Sequence, residues 1–117
     1  MDHSMYPETS RELHAKRREL APEPYAAFRA FSQKVFADGA LPSKTKQLIA
    51  VAVAHVTQCP YCIRGHTDAA IKAGATEQEV MEAIWVAAEM RAGGAYAHST
   101  IALEVMAEQA GDAGAKA

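Results

Sequence analysis

The sequence predicts an all-α domain, a compact bundle of about six helices with a CxxC pair at one helix N-terminus. Three observations predict it. Apolar residues in the second half of the chain (Val80, Ile84, Ile101, Val105) recur at helical spacings. Pro24 and Pro60 suit first helical turns, while Gly39 and Gly74 suit helix ends. Beyond Pro60 there is no further proline and no β-branched run that would read as a strand.

Taken in order, Glu8 to Leu20 reads as a polar helix whose apolar positions are Leu13 and Leu20. Ala21-Pro22-Glu23-Pro24 ends it. A second helix follows, and its Tyr25, Phe28, Phe31 and Val35 form an aromatic stripe expected in the core. Ser43 is the expected N-cap of a third element. Its body, Leu48 to Val56, is apolar on nearly every side, and periodicity leaves a buried helix and a buried strand both open. The fourth helix runs from Pro60 to Ala73. Thr76-Glu77-Gln78-Glu79 has the capping-box pattern and opens a fifth, with Val80, Ile84, Ala87 and Ala88 on its apolar face. Gly93-Gly94 reads as a pause or a close helix contact, and a last helix spans about Ala95 to Glu108. The tail from Gly111 is expected to fray.

A chain of 117 residues is one domain by size, here 1–117, with two N-terminal helices in residues 1–40. Half of it is apolar and 22% charged, which argues against disorder. A formal charge of −2 gives no reason to expect nucleic acid or an anionic membrane as partner. The cluster Lys16-Arg17-Arg18 is interleaved with Glu12 and Glu19 and reads as a solvated helix face. The N-terminal residues lack an apolar stretch of leader length, and the longest apolar run is too short to span a bilayer. A cytoplasmic location is the expectation.

The chemistry lies in Cys59-Pro60-Tyr61-Cys62, the chain's two cysteines, with His66 four residues on. Two thiols at this spacing close into a disulfide across one turn. His66 falls on the same helical face as Cys62 and can take its proton. Backbone N–H groups at a helix start favour a thiolate, the form that attacks sulfur or peroxide oxygen. Zinc is a competing reading. Cys59, Cys62 and His66 supply three ligands, with His55 or His98 as a fourth, but no second CxxC or HxxxH is present. No metal and no cofactor is therefore expected. His55 is a candidate base or orienting group, or a hydrogen-bonded core histidine. Glu89 sits on an apolar segment and is a candidate carboxylate for the site, with an ion pair to an arginine such as a neighbour's Arg91 as the simpler role. Trp85 and Tyr96 are expected in the core or a subunit interface.

The apolar run before Cys-Pro-Tyr-Cys also suits a thioredoxin or glutaredoxin domain. That fold needs further strands and a later proline, which the second half does not supply. The segments Lys44 to Ala54, Cys59-x-x-Cys62-x-x-x-His66 and Ala73-Gly74-Ala75-Thr76-x-x-Glu79 instead resemble the carboxymuconolactone decarboxylase superfamily, over about 41–106. Within it they are most similar to the alkylhydroperoxidase D-like (AhpD-like) branch. The resemblance implies an all-α domain that assembles as homotrimers or homohexamers, with peroxide-reducing or disulfide-reductase activity at the cysteine pair. Cys62 then matches the cysteine that attacks peroxide, Cys59 its resolving partner, and His66 the proton relay. The glutamate that the branch places twelve residues before the first cysteine is here Gln47, and a histidine often found before the second cysteine is Tyr61. An amide cannot take a proton, so a weak peroxidase is expected.

The implied partners are a small hydroperoxide or disulfide substrate and an external dithiol reductant. Two alternatives remain beside this one. A lactone-type decarboxylase of the same superfamily leaves the cysteine pair unexplained. A non-catalytic redox-sensing oligomer would use the pair to alter assembly.

Overall fold

A computed structural model describes residues 5–116, with side chains to residue 112. Among these residues there are five α-helices and no strand: α1 (Arg11–Leu20), α2 (Pro22–Phe36), α3 (Ser43–Thr57), α4 (Pro60–Lys72) and α5 (Glu77–Lys116). The first N-terminal residues, 1–4, read above for a leader, lie outside this range.

Ser10 caps α1, its side chain accepting the Leu13 N–H at 3.1 Å. Ala21 ends α1 and begins α2, with Pro22 in the first turn where no N–H is needed. A 2.7 Å hydrogen bond between His14 Nε2 and the Tyr25 hydroxyl closes the two helices into a hairpin. Ser43 is not the cap of α3; it is the first helical residue, and its N–H donates to Asp38 Oδ1 at 2.7 Å. The long apolar run is a helix, which settles the strand alternative. At the head of α5 the capping box forms as its pattern predicts. Glu79 N–H donates to Thr76 Oγ1 at 3.1 Å, and Thr76 N–H donates to Glu79 Oε1 at 2.9 Å.

Helices α3, α4 and α5 form an up–down–up core. Lys44 pairs with Glu79 at 2.9 Å where α3 and α5 begin, and Arg91 donates to the Val56 carbonyl at 3.2 Å where α3 ends. The two helices therefore run parallel, and α4 returns antiparallel to α3, so that α3 is the helix packed against both of the others. Val51, Ala54, Ala70, Ala75, Val80 and Ala87 are buried here, and Leu48 and Ile84 pack on them.

Several expectations about packing are corrected. Residues 77–116 form one helix of 40 residues, so the Gly93-Gly94 pause, the separate sixth helix and the frayed tail are not seen through Lys116; Ala117 lies outside the described residues. The flanking segments are rich in strong helix formers. Two glycines cost about 2 kcal/mol there, less than nucleating a new helix. The aromatic stripe of α2 is not core: Phe28 and Phe31 are 67% and 64% exposed. Trp85 and Tyr96 are exposed at 69% and 83%, which removes the core alternative for both and leaves the subunit-interface one. The chain is not compact either. Its radius of gyration is 21.6 Å, against about 13 Å for a globular domain of this length. No helix is long and apolar enough to cross a membrane among the described residues.

Candidate functional site

The site is built where α3 ends and α4 begins. Gln58, the C-cap of α3, takes the left-handed conformation (φ 58°) and reverses the chain, and the Cys59 N–H donates to the Ala54 carbonyl at 3.1 Å. This closure delivers Cys59 as the N-cap of α4, with Pro60 in the first turn. The Cys59 sulfur accepts the Cys62 N–H at 3.3 Å, as a serine or aspartate cap oxygen would. Both cysteines are free and half-buried.

Their ionisation is unequal. The Cys62 thiol, donating to the Cys59 sulfur, holds Cys59 below an ordinary thiol, and the Cys62 backbone N–H acts in the same direction. Cys62 is pushed up, because ionising it forfeits that donated hydrogen bond and because it is partly buried. Of the pair, Cys59 is therefore the first to lose its proton.

His66 lies one turn after Cys62 on α4. Its Nδ1 is 2.7 Å from Gln47 Oε1 on α3. An amide oxygen only accepts, so Nδ1 carries a hydrogen, and in the neutral ring the lone pair is on Nε2. The opposite constraint on the ring comes from Phe36, stacked on it with centroids 5.0 Å apart and planes at 29°. Phe36 was not legible as a site residue; its one signal was its place at the end of the aromatic helix α2.

Cys62, His66 and Gln47 line one open cleft of about 610 Å³, walled by Phe28, Phe31 and Phe36 from α2. A recess of about 140 Å³ reaches Cys62 and His66 from the α3 side, past Ala50 and Val53. Tyr61, between the cysteines, lines the same cleft and meets Tyr6 edge-on at 6.1 Å. The sequence-derived residues thus divide. Cys59, Cys62, His66 and Gln47 come together. His55 does not line either cavity; it is half-buried, and its Nδ1–H donates to the Val51 carbonyl one turn back at 2.7 Å. Glu89 lies against Gly93 on α5 rather than at Gln47, and His98 is exposed further along the same helix. Among the described residues no three His, Cys, Asp or Glu side chains are placed to hold a metal ion.

The chain is similar to several known proteins. The uncharacterized protein 4 in cox locus of Paracoccus denitrificans is 68% identical over 82 residues, which is 70% of this chain and 74% of that protein. A carboxymuconolactone decarboxylase family protein from Legionella pneumophila superposes with a TM-score of 0.64 at 39% identity, over 80% of this chain and 84% of its own. A Thermotoga maritima protein superposes at 0.65 with 27% identity, over 85% and 89%. For that Thermotoga protein, a family member, a part in the antioxidative response has been suggested. The family model for carboxymuconolactone decarboxylases matches residues 22–105, from the first turn of α2 past the cysteine pair and well into α5, and the chain belongs to that family.

Proposed function

We propose that the protein is a dithiol oxidoreductase of the AhpD-like type, reducing organic hydroperoxides through Cys59 and Cys62. The observation that carries this reading is the shared cleft: Cys62 and a histidine with a free Nε2 open onto the same aromatic-walled space. His66 Nε2 takes the Cys62 proton. The thiolate attacks the terminal peroxide oxygen, an S–O bond forms and the O–O bond breaks. The departing alkoxide takes the proton from the His66 imidazolium and leaves as alcohol. Cys59 then attacks the sulfenic sulfur, the S–S bond forms, and hydroxide leaves and is protonated to water. An external dithiol returns the pair to the reduced state. Phe28, Phe31 and Phe36 favour an apolar R group over hydrogen peroxide.

Cys59 ionises more readily than an ordinary thiol, which supports a second reading, in which Cys59 attacks a substrate disulfide and Cys62 releases the mixed disulfide. Single-turnover assays separate the two. Pre-reduced protein is expected to consume one equivalent of cumene hydroperoxide per chain. Cys59→Ser should still consume it and stop at the sulfenic acid, while Cys62→Ser should not react. Hydroperoxide turnover that survives Cys62→Ser removes the peroxidase reading. Disulfide cleavage lost in Cys59→Ser, with no peroxide consumption by the native protein, establishes the second.

A further inference from the structure

We propose that the distal half of α5, residues 92–112, of a second copy of this chain docks on the α1–α2 hairpin and roofs the cleft that holds Cys62 and His66.

The single chain carries too much surface. It exposes 9309 Å², whereas a folded monomer of its 12.5 kDa exposes about 6,200 Å². The excess, about 3,000 Å² per chain, is of the size that obligate interfaces bury. It is concentrated in two places. One is α5 beyond Arg91, which runs past the end of α3 for about 35 Å at 1.5 Å per residue and touches neither α1 nor α2. The other is the hairpin, whose Phe28 and Phe31 stand over the cleft with nothing across from them.

The two surfaces match in chemistry. At 100° per residue, Tyr96, Leu103 and Met106 share one side of α5, Ile101 and Val105 another, and Glu104 and Glu108 fill the strip between. All five of the apolar residues are exposed. A helix with apolar residues on two sides is built to lie in a groove rather than on a flat face. Residues 92–112 contain three acids (Glu104, Glu108, Asp112) and no lysine or arginine. Residues 11–36 contain six bases (Arg11, Lys16, Arg17, Arg18, Arg29, Lys34) against three acids (Glu12, Glu19, Glu23). Arg29 lines the cleft between Phe28 and Phe31, so charge and aromatic surface are presented together. Each copy holds both the spike and the cradle, which is the condition for a self-complementary or ring-forming contact.

The consequence for the site depends on the peroxidase reading, because a roof keeps water from a reacting thiolate and completes an apolar pocket for the R group. The association does not depend on it, and the test reads association alone. Sedimentation of the reduced full chain is expected to show an oligomer at micromolar concentration. Glu104→Lys with Glu108→Lys should weaken it by about tenfold or more, and adding Arg29→Glu should recover most of the loss. Leu103→Asp should give monomers whose helical circular dichroism is retained. A monomeric native chain, which would leave α5 to a different protein, overturns the proposal. So does an oligomer indifferent to these substitutions, or a loss that Arg29→Glu does not restore.

Discussion

Gln47 accepts the Nδ1 hydrogen of His66 at 2.7 Å, a side chain–side chain bond spanning nineteen residues that ties α3 to α4 beside the cysteine pair. The contact fixes the tautomer and the ring orientation without placing a negative charge behind the imidazole. A carboxylate at the same position would add a charge-assisted bond to the protonated ring, worth about 1.5–3 kcal/mol. Gln47→Glu is therefore expected to raise the single-turnover rate with hydroperoxide by about tenfold near neutral pH. Gln47→Leu, which frees the ring, should lower it by a similar factor. Unchanged rates in both variants would show that the ring is not in the proton path.

The bond from the Cys62 thiol to the Cys59 sulfur makes a prediction about pH. Cys59 is held below an ordinary thiol, so it should be alkylated by iodoacetamide at lower pH than Cys62. Cys62→Ala removes the donated hydrogen bond, and the midpoint for Cys59 should move up. The linked stability has the same sign. A depressed folded-state value favours the folded protein above the unfolded thiol's titration, and the gain disappears as pH falls through the folded value. Mass spectrometry of alkylated peptides across pH reads both sites in one sample.

What the sequence made legible was local chemistry. Thr76 and Glu79 could be read as a reciprocal cap, Pro60 as a helix start and Gly74 as a left-handed stop, because each needs only its own neighbours; Gly74 indeed has φ 100°. Gln47 was singled out through a family pattern, not through spacing, and its bond to His66 came only with the structure. What stayed hidden depends on what lies opposite a face. The stripe Tyr25, Phe28, Phe31 and Val35 has helical periodicity, and periodicity identifies a face without saying what covers it. Here it walls an open cleft. Pro42 holds the N-cap position of α3 and Asp38 accepts the Ser43 N–H because the loop from Ala37 to Pro42 folds back, a geometry that the pattern of caps does not encode.

The small core makes single positions costly. Val51 is the largest side chain that is fully buried, touching the cluster of Ala70, Ala75 and Val80. Val51→Ala removes two methyl carbons from this packed layer and should lower unfolding free energy by about 2 kcal/mol. Thr76→Ala should cost about 1 kcal/mol through the lost cap alone. Chemical denaturation read by circular dichroism gives both. The second effect should be the smaller, since the capping bonds are exposed.

Gln58 is the described non-glycine residue that holds a positive φ, and it does so immediately before Cys59. A side chain in the left-handed region costs about 1 kcal/mol relative to glycine, which adopts it freely. The cost is borne because the turn returns two donors to the end of α3: the Gln58 and Cys59 N–H groups both reach the Ala54 carbonyl. Gln58→Gly should keep both bonds and relieve the strain, raising stability by about 0.5–1 kcal/mol. Gln58→Val, with a β-branched side chain in the same conformation, should lower stability by more than that and displace Cys59 from its cap position. The alkylation profile then distinguishes the two roles of the turn. If Gln58→Gly stabilises the protein and leaves the Cys59 midpoint unchanged, the turn only delivers the sulfur. If the midpoint rises although the fold is more stable, the rigidity of Gln58 itself holds the Cys59 sulfur against the Cys62 N–H.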